Sequence, residues 1–142
     1  MSGALVAAAA ALVWFGMVTA ISFLEAPLKF RAPGITTKLG LGIGRIVFAA
    51  LNACESALAT VVAVGLLLGG TWSAGAAWLL TAIGVLAVQL IAVRPVLRRR
   101  TAQTLTADAR RASSHAHWAY VGLEFVKAFS VITGALLLLS AT

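Results

Sequence analysis

Residues 46–69 read IVFAALNACESALATVVAVGLLLG, and residues 116–139 read AHWAYVGLEFVKAFSVITGALLLL. At about 1.5 Å rise per residue, each run is long enough to cross the roughly 30 Å hydrocarbon core of a bilayer as a helix. Each also carries strongly polar groups well inside it: Asn52 and Glu55 in the first, Glu124 and Lys127 in the second. The bilayer core has no water to solvate a charge, so ionisable residues there are costly and mark a functional site by default.

Outward from these two runs lie two more apolar stretches, residues 4–24 and 74–93, the first uncharged and rich in alanine. The short alternating segments of a β-barrel are missing. The fold class expected is therefore all-α: one integral membrane four-helix bundle, a single domain of four spans filling the 142 residues. Composition agrees. Hydrophobic residues make up 61% of the chain and charged residues 11%, against about 25% charged in soluble domains, so too few polar side chains exist to cover a water-soluble fold. The first stretch lacks a basic leader and is longer than a signal peptide's apolar region, so it reads as a retained span. Cys54 is the single cysteine, which excludes an intrachain disulfide; it reads as a small buried hydrophobe.

The connections decide the orientation. Residues 70–73 form a tight uncharged turn, with Trp72 suited to the membrane interface. Residues 25–45 and 94–115 instead hold Lys29, Arg31, Lys38, Arg45, Arg94, Arg98, Arg99, Arg100, Arg110 and Arg111, ten of the 11 basic residues. By the positive-inside rule that side is cytoplasmic and both termini face away from it, as in a bacterial inner membrane. The net charge of +7 thus reads as a topology signal. Nucleic acid is not expected as a partner, since no base-reading or stacking module accompanies the basic residues. The partner expected is the lipid bilayer, with anionic headgroups near Arg98, Arg99 and Arg100.

Pro27 and Pro33-Gly34 are expected to end the first span, and Pro95 the third. Asp108 is a candidate cap for a short basic helix, and Ser113 or Ser114 for the fourth span. Gly40, Gly42 and Gly44 resemble a phosphate loop only superficially, because no strand precedes them; close packing or a flexible lead-in fits better. Gly65 and Gly69 make a small-xxx-small pair, and Gly122 and Gly134 leave smooth patches on the fourth span. Trp118 and Tyr120 fit an aromatic belt.

The polar residues fall in stripes. Arg45, Asn52 and Glu55 are spaced by seven and three, and His117, Tyr120, Glu124 and Lys127 by three, four and three, each set on one helical face. Glu55 lies ten residues beyond Arg45 and Glu124 nine beyond His115, so both carboxylates sit about 14–15 Å from the basic side. Stripes at one depth should face each other, with Glu55 paired to Lys127 and Asn52 bonded to Glu124. The second acid then invites a proton or a small cation. Arg45, Glu25, His117 and Tyr120 form the vestibule on the basic side. A metal site would draw on His115, His117 and Glu25; no cofactor is clearly indicated.

The end of the first span, Phe23-Leu24-Glu25-Ala26-Pro27-Leu28-Lys29-Phe30-Arg31, the glycine-containing lead-in to the second, and Ser113-Ser114-His115-Ala116-His117-Trp118 at the start of the fourth together resemble small four-span membrane proteins related to human transmembrane protein 205. The resemblance implies a four-helix bundle and supplies no reaction or substrate.

The function expected from the residues is transport or conduction of a small ion, with proton linkage. Asn52, Glu55, Glu124 and Lys127 would be the ion- and proton-binding residues. A single four-helix chain is narrow for a pore, which points toward a homo-oligomer. Two other readings compete: an accessory or assembly subunit of a membrane complex, and a membrane enzyme or metal carrier using the Glu/His cluster. No nucleophilic triad or redox motif supports catalysis.

Overall fold

The computed structural model describes residues 2–93, 95 and 107–142, leaving aside the side chains of 93 and 107–117. Helix α1, Gly3–Val18, opens at Ser2, whose hydroxyl accepts the Leu5 N–H at 3.4 Å. It runs on through a π-helical segment, Thr19–Glu25, one α-helical turn, Ala26–Leu28, and a 3-10 turn, Lys29–Arg31. Pro27 therefore does not end the first span. It sits in the first turn after a widened π segment, where its missing N–H is tolerated. The stop comes at Pro33-Gly34. Ala32 is forced into extended backbone ahead of Pro33, and Gly34 takes a φ of +77°.

Helix α2, Thr37–Gly69, is capped by Thr36, whose hydroxyl accepts from Leu39 N–H at 3.1 Å, and closes on Gly70 in the left-handed conformation at φ +58°. It starts ahead of the apolar run because Gly40, Gly42 and Gly44 are wound into the helix. Ser73 caps helix α3, Ala74–Val88, which extends as a second π-helical segment, Gln89–Val93. Helix α4, Ala107–Ser140, spans 34 residues. Its first turns are rich in alanine and arginine, both strong helix formers. Ser113 and Ser114 consequently lie within the helix rather than at its start. Asp108 falls in its first turn with its side chain outside the described residues, where Arg94, Arg98, Arg99 and Arg100 also lie.

All four helical stretches are long and apolar enough to cross a membrane. Around the bundle, α1 packs along both α2 and α4, and α4 packs along α3. The remaining edge, between α2 and α3, is loose despite the short turn joining them. α2 and α4 therefore stand on a diagonal, with α1 between them, rather than packing face to face as their stripes suggested.

Small residues set the two tightest seams. A Cβ on Gly65 would lie 2.8 Å from the Gly3 carbonyl oxygen, and one on Gly134 would lie 2.9 Å from that of Gly75. The small-residue pairs thus serve packing within this chain. Gly122 faces open space. At the basic end, Gly40 lies under Phe30, and Gly44 has Lys29 Nζ 2.8 Å from where its Cβ would be. The core gathers Trp14, Val18, Val62, Leu79, Leu86, Val131 and Leu138, while Leu67, Leu68, Ile91, Phe125 and Phe129 point outward. That apolar exterior suits lipid contact. Cys54 also lies outside, since Leu51, Asn52, Glu55 and Ala59 occupy the inward face of α2.

Candidate functional site

Lys127 on α4 is fully buried, and its ammonium carries three N–H donors and no acceptor. Three acceptors meet it: Glu55 Oε1 at 2.5 Å from α2, Glu124 Oε1 at 2.6 Å from its own helix, and Gln89 Oε1 at 2.9 Å at the end of α3. Helix α1 supplies the outer donors. Trp14 Nε1–H donates to Glu55 Oε1 and the Ser22 hydroxyl to Glu124 Oε2, each at 2.8 Å. Gln89 Nε2 closes the ring on Glu124 Oε1, also at 2.8 Å. Three helices thus meet at one ammonium and the α1 stretch supports its two carboxylates, in a low-dielectric interior where each charge needs its partners.

The structure brings together Glu55, Glu124 and Lys127, and the two carboxylates meet on the same nitrogen. The Glu55–Lys127 pair forms across the diagonal, its long side chains covering a gap that the two backbones do not close. Asn52 departs from expectation. Its Nδ2 donates to the Phe48 carbonyl, one turn back, at 2.6 Å. Glu124 is met instead by Lys127, Gln89 and Ser22.

Counting acceptors locates the imbalance. Both oxygens of Glu124 are bonded, whereas Glu55 Oε2 and Asn52 Oδ1 are buried and without a partner. Nearby hydroxyls return to their own helices, Ser56 to the Asn52 carbonyl at 2.7 Å and Ser130 to that of Val126 at 2.8 Å. Two acids stand against one lysine, so full ionisation leaves one negative charge in excess. Buried acceptors without donors are rare and call for an explanation. Here they lie one turn apart on α2, one on Asn52 and the other on Glu55.

Three members of the centre were not picked out from sequence: Trp14, Ser22 and Gln89. Gln89 is the one strongly polar side chain in residues 74–93, and that is the signal that could have found it. Ser22 and Gln89 both lie in the π-helical segments, a local geometry that recurs at functional sites.

Toward the basic end, Glu25 pairs with Lys29 at 3.4 Å, and Lys29 Nζ lies 5.6 Å from the ring centroids of both Phe30 and Phe48. Tyr120 meets Phe48 edge-on at 5.9 Å. Lys29, paired with Glu25, and Tyr120 therefore gather around Phe48, one turn from Asn52. Arg45 does not join them; it is exposed, where a long stem can carry its charge to water. The side chains of His115 and His117 lie outside the described residues. Among the described residues no three His, Cys, Asp or Glu side chains converge as a metal would need, and Glu25 is engaged by Lys29.

No family model, curated protein or solved structure matches this chain.

Proposed function

We propose that this protein moves a small cation across a membrane in a proton-linked step, with Glu55, Glu124 and Lys127 as the binding centre. The observation that carries this reading is the excess acid: two buried carboxylates share one lysine, and the acceptor oxygens left over belong to Glu55 and Asn52. A centre that gains and loses one positive charge is balanced in only one of its two states, and that is what a carrier needs.

Close bonding around Lys127 supports an occluded carrier site over an open pore, and such a carrier works within a single chain. The basic residues support a reading with the 29–45 end in the cytoplasm and both termini outside it, in a bacterial inner membrane. Arg98, Arg99 and Arg100 would then meet anionic headgroups. Glu25, Lys29 and Tyr120 would form the cytoplasmic approach.

A second reading has its own support. Lys127 is saturated, with one acceptor for each N–H, which suits a permanent lock between helices in an accessory or assembly subunit. Purified protein in liposomes containing a pH-sensitive dye separates the two. Under an imposed ion gradient, the carrier reading expects an internal pH change that Glu55→Gln and Glu124→Gln abolish. The lock reading expects no change with any form, and a defined complex that copurifies with the chain.

A further inference from the structure

We propose that the ion taken up at this centre is a proton, bound on Glu55 Oε2 with Asn52 Oδ1 as its hydrogen-bond acceptor. This rests on the proton-linked reading above and names the atom that holds the charge.

Glu124 is complete without a proton, because Lys127 and Gln89 donate to one of its oxygens and Ser22 to the other. Lys127 is complete with its own three. Glu55 Oε1 accepts from Trp14 and Lys127, and the indole nitrogen is a donor only, so neither can take a proton from the acid. The bond from Asn52 Nδ2 to the Phe48 carbonyl turns the amide so that Oδ1 remains an acceptor. Two bare acceptors are left on one face of α2. A single proton on Oε2 turns one of them into a donor and satisfies both together.

An alkali cation fits less well. To shed its water it needs a shell of oxygens, and on α2 the centre offers it Glu55 Oε2 and Asn52 Oδ1. The Lys127 ammonium on the other oxygen of the same carboxylate would also repel it. The charged groups that face Glu55 are Lys127 and Glu124, both from α4. Helix α1 presents Trp14, and the end of α3 presents Gln89, and neither ionises near neutral pH.

Infrared spectroscopy of the full-length protein in liposomes reads the proton directly. The expected result is a carboxylic-acid C=O band at neutral pH that shifts in D2O. Asn52→Leu should move that band by removing its hydrogen-bond acceptor, and Ser22→Ala should leave it in place. Asn52→Thr serves if the leucine variant does not fold. A band that moves with Ser22→Ala and ignores Asn52 substitutions would assign the proton to Glu124 and overturn the proposal. So would a missing acid band, or one that sodium or potassium bleaches at constant pH. The Asn52-dependent band in a protein that carries no ion would keep this site while removing the transport reading. Ion movement without the band would do the reverse.

Discussion

Lys127 Nζ lies 2.5 Å from Glu55 Oε1, joining α2 to α4 across the diagonal of the bundle with both side chains fully buried. The pair is an internal strut between helices that touch little elsewhere. Its value depends on both ends being present, because removing one partner leaves a buried charge uncompensated.

Lys127→Met keeps the length of the stem and removes the charge, leaving Glu55 and Glu124 as two buried acids with no counter-ion. The expected loss is about 3–5 kcal/mol, read as a lower thermal or denaturant midpoint in detergent. Adding Glu55→Gln to that variant should recover part of it. The resulting double-mutant cycle should show a coupling of about 1 kcal/mol or more. Additive losses would mean that the two residues act independently.

Gln89→Leu removes both an acceptor for Lys127 and a donor to Glu124. A cost of about 1–3 kcal/mol is expected for groups left unsatisfied in the interior. Gln89→Glu should behave differently, since it keeps an acceptor for Lys127 and adds a third acid. Its stability should rise as pH is lowered, unlike that of the leucine variant, in matched unfolding curves.

How much of this was legible in the sequence follows the physics of each signal. The four spans were readable because length and hydropathy alone decide membrane crossing. Glu55, Glu124 and Lys127 were readable because a charge in an apolar run is costly and needs partners. The diagonal arrangement was not, since a stripe on each of two helices does not reveal a third helix between them. Trp14 and Ser22 were hidden for a related reason. A tryptophan or serine is common in a membrane span, and only tertiary packing aims its donor at a carboxylate. Pro27 misled because its effect depends on the π segment preceding it.

Gly65→Leu should lower stability by about 1–3 kcal/mol through overpacking, because Gly3 and Ala7 of α1 occupy the space a side chain would enter. Gly122→Leu is the control. It points into open space and should stay within about 0.5 kcal/mol of the parent. Equal effects at the two glycines would contradict the α1–α2 seam.

Orientation is open to cysteine labelling in a Cys54→Ala background. An impermeant maleimide applied to intact cells should label Thr71→Cys and Thr142→Cys, and should label Lys38→Cys only after the membrane is permeabilised. The opposite pattern would reverse the assignment of the basic end to the cytoplasm.

The most direct measurement of the central claim is proton flux into liposomes holding equal amounts of folded parent or Glu55→Gln protein. The carrier account predicts flux above the protein-free baseline for the parent and a fall to that baseline for Glu55→Gln. Flux that survives intact in Glu55→Gln would contradict it, because the only buried acid with an uncommitted oxygen among the described residues would then play no part.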